Sequence, residues 1–224
     1  MSEIGHVRKD ELAANLAEVE ERISLALSQS GRERQEVTLV VVTKTFPVED
    51  AVLLYELGIR NFGENRDDEG AKKNPLLPSD SIWHFQGQVQ GRKIASIASW
   101  ADVIHSLDSL DHASKFASQP TAQSTEFFLQ VNLEPQAEHR GGIRKEEIPG
   151  FLESSPVEIF GLMLVAPLSG NAHAAFSEVA ALRQKYGLRG LSMGMSGDFE
   201  EALKAGATHI RVGSSILGSR GLPA

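Results

Sequence analysis

Between Val7 and Ser28 apolar residues recur at Val7, Leu12, Leu16, Val19, Ile23 and Leu27, three to five positions apart with charged residues between them. That period predicts one amphipathic helix, and Gly31 ends it. A nearly unbroken β-branched run follows, Val37-Thr38-Leu39-Val40-Val41-Val42-Thr43. Such a run predicts a strand covered on both faces, as in a parallel sheet, and Lys44 ends it. Further short apolar or β-rich runs at 60–62, 82–85, 102–105, 126–131, 158–163, 189–192 and 209–212 bring the predicted strands to eight. Helical patterns such as 48–57 and 198–205 lie between them, and Pro75, Pro78, Pro120, Pro135, Pro149 and Pro167 fall between periodic segments.

Alternating βα units predict an α/β fold with a parallel sheet. Eight right-handed units closing on themselves make a single-domain (β/α)₈ TIM barrel; an open doubly wound sheet is the alternative. No composition break marks a linker, so residues 1–224 are expected to form one domain, with a leading helix in 1–30 and the barrel over 37–220.

Composition narrows the partners. Lys and Arg number 22 against 30 Asp and Glu, a formal charge of −8, which disfavours broad nucleic-acid or acidic-membrane binding but leaves room for a local phosphate site. The absence of cysteine removes disulfides, thiolate metal sites and cysteine nucleophiles. The first residues carry charges of both signs without the apolar centre of a signal peptide, and no later stretch is long and apolar enough to span a membrane, so a cytoplasmic location is expected.

In a barrel, chemistry belongs to the loops at the C-terminal strand ends. Lys44 would sit there, partly desolvated, where burial lowers an amine's pKa and readies it for carbonyl attack; a lysine that merely snorkels to solvent fits the same position. Ser192, Ser196, Gly213 and Ser214 lie in the two loops where barrels often bind phosphate through backbone N–H groups, although Ser196 also suits the N-cap of the next helix. Strand alternation turns Arg211 away from Ile210 and Val212, toward the interior, where a guanidinium needs an acceptor: a structural carboxylate, or a ligand's anion or ring nitrogen. His84 reads either as a proton carrier or as a satisfied core imidazole. His6, His105, His112, His139, His173 and His209 form no metal-type pair, and Met193 and Met195 suit pocket lining or core.

Taken together, the segments VVVTKTFP, GIRNFGENR, WHFQGQVQGRK, GLMLVAP and LSMGMSGDFEEALKAGATHIRVGSSILGSR resemble the pyridoxal phosphate homeostasis protein family nearly end to end, from Val37 to Arg220. The resemblance implies a fold similar to the N-terminal barrel domain of alanine racemase, with pyridoxal 5'-phosphate (PLP) bound at the mouth as a covalent aldimine to Lys44. It also implies Asn65 beside the cofactor ring, Ser192, Ser196, Gly213 and Ser214 as phosphate cradle, and Arg211 facing the pyridine nitrogen; Met193 and His84, by their place at strand ends, are expected at the cofactor as well. An arginine there cannot protonate the ring as a carboxylic acid would, so the cofactor is a poor electron sink. Gln86, Arg66 and Arg92 depart from the family pattern at the rim.

Three functions compete on these residues. A carrier that buffers PLP and delivers it to apo PLP-dependent enzymes, acting as a monomer with little turnover, is the leading expectation. A racemase-like enzyme needs a proton donor on each cofactor face, and His84 is the internal candidate. A Schiff-base enzyme on another small phosphorylated substrate explains Lys44 and the phosphate loops, but not Arg211 and Asn65 together.

Overall fold

The computed structural model describes residues 3–134, 141–167 and 171–218. Eight parallel strands close into a barrel in sequence order: β1 (Thr38–Val42), β2 (Asn61–Glu64), β3 (Ile82–Phe85), β4 (Val103–Leu107), β5 (Glu126–Val131), β6 (Ile159–Leu164), β7 (Gly190–Met195) and β8 (His209–Val212). The helices are α1 (Glu3–Gln29), α2 (Val48–Glu56), α3 (Asp67–Lys73), α4 (Ile94–Ala98), α5 (Leu110–Ala117), α6 (Ile148–Ser154), α7 (Ala172–Lys185), α8 (Phe199–Lys204) and α9 (Ser214–Leu217). The (β/α)₈ barrel expected from the pattern is therefore the fold, and the open sheet is excluded by the closing pair of β1 with β8, which sets Val40 opposite Arg211 and Val41 opposite Val212. His139, Pro135 and the last residues of the expected barrel, 219–220, lie outside the described residues.

The β-branched run of β1 is buried from Leu39 to Val42 because a parallel strand inside a ring of helices has no wet face. Side chains pointing outward form the main core. Phe62, Trp83, Phe116, Phe127, Phe176 and Phe199 fill it at 1% exposure or less. Each such side chain contributes roughly 1.5–3 kcal/mol by leaving water.

Helix α1 buries Leu12, Val19, Ile23 and Leu27, a stripe with helical spacing. Val7 departs from expectation: five positions before Leu12, it is rotated off the stripe and is 66% exposed. The helix lies along α8 and α9 on the outside of the barrel. Pro149, expected between elements, sits instead in the first turn of α6, where its missing N–H breaks no helical bond. No described helix is long and apolar enough to cross a membrane.

Candidate functional site

A cavity of about 400 Å³ opens at the C-terminal ends of the strands. Lys44, Asn65, Ser196, Arg211, Gly213 and Ser214 all line it, so six residues drawn from four loops, one strand and the start of α9 meet at one place. Val42, Phe46, Met163, Val165 and Met195 give it an apolar wall, with Gln86 beside them.

The loop that carries Lys44 is fixed from behind. Thr45 has a left-handed backbone (φ 67°), uncommon for a β-branched residue, and its N–H donates to Glu69 Oε2 at 2.6 Å. The Lys73 ammonium donates to the Thr43 carbonyl at 2.8 Å and to Glu64 Oε1 at 2.7 Å, and the Thr43 hydroxyl donates to the same Glu64 oxygen at 2.6 Å. Glu64 is fully buried; desolvation pushes its carboxyl above the usual range, against the pull of Lys73 and Thr43. Strand alternation explains the division of labour on β2: Glu64 turns outward to Lys73, while Gly63 and Asn65 turn inward.

The opposite wall is an anion-type cradle. The N–H groups of Gly213 and Ser215 both donate to Ser196 Oγ, at 3.2 and 3.4 Å, so two backbone donors converge on one oxygen at the start of α9. Ser196 does not cap α8; Asp198 stands at that position, its carboxylate accepting from the Met195 N–H at 2.6 Å. A register irregularity between Ser192 and Met195 of β7, with Gly194 at φ 91°, swings Met195 and Ser196 to the cavity. A Cβ on Gly194 would come within 2.6 Å of Ala202, so the bend needs glycine twice over.

Arg211 is buried at the cavity's edge. Its guanidinium donates to Ser192 Oγ at 2.7 Å and to the Leu164 carbonyl at 2.9 Å, and among the described residues no carboxylate pairs with it. Desolvation lowers its pKa to about 10, which leaves it charged at neutral pH. Asp198 offsets part of that burial cost from a distance, and a buried cation at a cavity's edge favours an acceptor there.

Behind Arg211 runs a series of hydrogen bonds that sequence spacing gave no sign of. Arginine only donates, so the Ser192 oxygen accepts from it, and the same oxygen lies 2.7 Å from His105 Nδ1. Asn61 Oδ1 accepts from His84 Nε2 at 3.0 Å, so in neutral rings His84 Nδ1 accepts from His105 Nε2 at 2.8 Å and His105 Nδ1 accepts from the Ser192 hydroxyl. Burial holds both imidazoles well below their ordinary pKa, hence neutral.

Three expectations are corrected by this arrangement. Ser192 is fully buried and supports Arg211, so its side chain is not part of the cradle. His84, 1% exposed, is a satisfied interior imidazole and does not line the cavity. Met193 points outward into the core between strands and helices, because it neighbours the inward Ser192; Met195 takes the cavity place. Missed by the sequence reading were Asn61 and His105, whose partners lie on other strands, and the Lys73 and Glu69 props on α3. Among the described residues no group of three or more His, Asp or Glu could hold a metal.

No family model matches the chain. The pyridoxal phosphate homeostasis protein of Mycobacterium leprae (strain TN) is 34% identical over 94% of this chain and 93% of its own length, and that of Escherichia coli (strain K12) is 31% identical over 94% and 97%. The chain belongs to the pyridoxal phosphate homeostasis protein family. Among solved structures it is similar to PipY of Synechococcus elongatus PCC7942, at 32% identity over 92% of this chain and all of that one; the TM-score is 0.77 without PLP and 0.75 against PipY with PLP bound. Alanine racemase from Corynebacterium glutamicum shares the barrel (TM-score 0.66, 18% identity, 93% of this chain and 60% of that one), a likeness of fold alone. Membership of the pyridoxal phosphate homeostasis protein family thus agrees with the resemblance carried by the strand-end motifs.

Proposed function

We propose that this chain binds PLP in the barrel-mouth cavity, holds it covalently at Lys44, and buffers and hands it on to apo PLP-dependent enzymes, as a monomer in the cytoplasm and as one binding unit over its length. The observation that carries this reading is the meeting of three complementary features on one cavity: an amine at Lys44, the hydroxyl and backbone groups of Ser196, Gly213 and Ser214, and a charged Arg211 with no carboxylate in ion-pair contact among the described residues. They match an aldehyde, a phosphate and a ring nitrogen. The cofactor supplies an aldehyde, which condenses with the Lys44 amine with loss of one water to form a Schiff base.

Each residue then has a physical task. Lys73, Glu64 and Glu69 hold the loop that carries Lys44 at the cavity. Ser196, Gly213 and Ser214 offer hydroxyl and N–H donors to the phosphate at the positive end of a short helix. Arg211 donates to the ring nitrogen and, being cationic, leaves that nitrogen unprotonated, which discourages carbanion chemistry on bound amino acids. Among the described lining residues the titratable groups are Lys44 and Arg211, and His84, the acid–base candidate for a racemase, lies in the barrel interior instead.

The test is a transfer assay. Holo-protein mixed with an apo-enzyme that requires PLP is expected to activate it while free PLP is kept scavenged; activation no greater than that from released cofactor would overturn the delivery role. Incubation with L-alanine is expected to give no enantiomer exchange, and turnover at about 1 s⁻¹ or faster would overturn the carrier reading in favour of an enzyme.

A further inference from the structure

Helix α9 is four residues long, too short to keep its shape by its own hydrogen bonds. Its far end is held from outside the barrel, by α1. The Ile216 carbonyl accepts from Asn15 Nδ2 at 2.9 Å, and the Leu217 carbonyl accepts from Arg8 Nη2 at 3.0 Å. Between these two residues on the same face of α1, Leu12 is fully buried, as are Ile216 and Leu217 opposite.

Arg8 does more than close α9. Its guanidinium also donates to both carboxylate oxygens of Asp50, at 3.0 and 2.7 Å, in the first turn of α2, the helix that follows Lys44. One side chain therefore ties the helix behind the amine to the helix behind the phosphate cradle. Asp50 keeps Arg8 firmly charged, and a cation against the carbonyl end of α9 favours the orientation of that helix's dipole. The rest of α1 and the turn after it treat α8 in the same way. Arg22 donates to Glu200 at 2.7 Å, and Arg32 donates to the Leu203 carbonyl at 2.9 Å. Ser196 lies just before α8, so α1 and the turn after it hold both helices that flank the cradle, α9 at its far end and α8 at its first and last turns.

Resting on the reading that the amides at 213–215 take the cofactor's phosphate, we propose that α1 is a retention latch: Arg8 and Asn15 are positioning residues that hold α9 where its N-terminal amides meet the phosphate. Loss of that grip speeds departure of a phosphate-bearing cofactor and leaves an aldehyde without phosphate unaffected. The latch also offers a route to release, since whatever lifts the first turns of α1 loosens the cradle without touching Lys44.

The experiment uses the full-length holo-protein and follows release into an excess of an apo-acceptor. Arg8→Met with Asn15→Leu is expected to release PLP about tenfold faster than the unaltered chain and to weaken competition by inorganic phosphate. Release of pyridoxal, which has no phosphate, is expected to stay the same, and Arg8→Lys is expected to restore part of the retention. Lys9→Ala, which removes an α1 contact to Glu56 on α2 but none to α9, is expected to change nothing. Unchanged PLP release in the double variant would overturn the latch, and so would equal acceleration of PLP and pyridoxal, which marks general loosening. If the double variant does not fold, Asn15→Ala alone decides, with release about threefold faster expected and an unchanged rate contradicting. Failure of the unaltered chain to take up any PLP would instead overturn the functional reading, and the latch with it.

Discussion

Between strands and helices this barrel is filled by Phe62, Trp83, Phe116, Phe127, Phe176 and Phe199, whereas inside the strands sit Asn61, His84, His105, Ser192, His209 and Arg211 beside a small apolar group of Val103, Phe128 and Met163. The outer layer is held by area: each ring stabilises through the surface it hides, and neighbours of similar volume can replace one another. The inner file is held by direction. Each donor there has one acceptor, and removing one member strands the next, which costs more than the bond itself contributes. Apolar burial and directed hydrogen bonding are thus assigned to different layers, joined by the strands they share.

That separation can be broken by substitution. Phe176→Ala, in the outer layer, is expected to cost about 3–5 kcal/mol in denaturant unfolding while PLP affinity measured well below the transition stays the same. A comparable loss of affinity would erase the distinction between layers. His105→Leu, in the inner file, is expected to cost less, about 2–3 kcal/mol, because Ser192 and His84 lose their partners in a buried site. It is also expected to weaken PLP binding and shift the absorption of bound cofactor, because the support of Arg211 is disordered; unaltered binding and spectrum would show that Arg211 needs no such support.

Acid sharpens the same contrast. The folded state keeps His84, His105 and His209 neutral, with His209 pulled to about 4 by burial and by Arg211, while the unfolded chain takes up protons below about 6.5. The sign follows: stability is full above that value and falls as pH drops, by up to about 1.4 kcal/mol per pH unit for each imidazole. The raised carboxyls of Glu64, Asp102 and Glu126 act in the opposite sense nearer their own range. His209→Phe, which keeps an aromatic ring against Phe128 and Phe160, is expected to flatten the decline between pH 6.5 and 5 by that single share. An unchanged slope would mean that His209 is protonated in the folded state.

The outer layer was legible because burial on both faces of a parallel strand leaves a continuous apolar run, Leu39 through Val42 in β1. The stripe of α1, Leu12, Val19, Ile23 and Leu27, was legible because it repeats with the turn of a helix. Lys44, Asn65, Ser196, Arg211, Gly213 and Ser214 were legible for another reason: they end strands, and in a closed barrel all strand ends meet. The inner file was not. His84 and His105 are 21 residues apart and become neighbours only through the β3–β4 register, and Ser192 and Met193 exchange roles according to which one faces inward. Periodicity identifies two faces of a strand without saying which faces the axis. The α1 contacts to Ile216 and Leu217, at the other end of the chain, carry no local signal at all.

The central claim is that Lys44 holds PLP, and absorption spectroscopy of the purified chain tests it most directly. With added PLP the unaltered protein is expected to show a band at roughly 420 nm that persists through gel filtration and is absent from Lys44→Ala. A colourless protein, or a Lys44→Ala variant that keeps the same band, would contradict it.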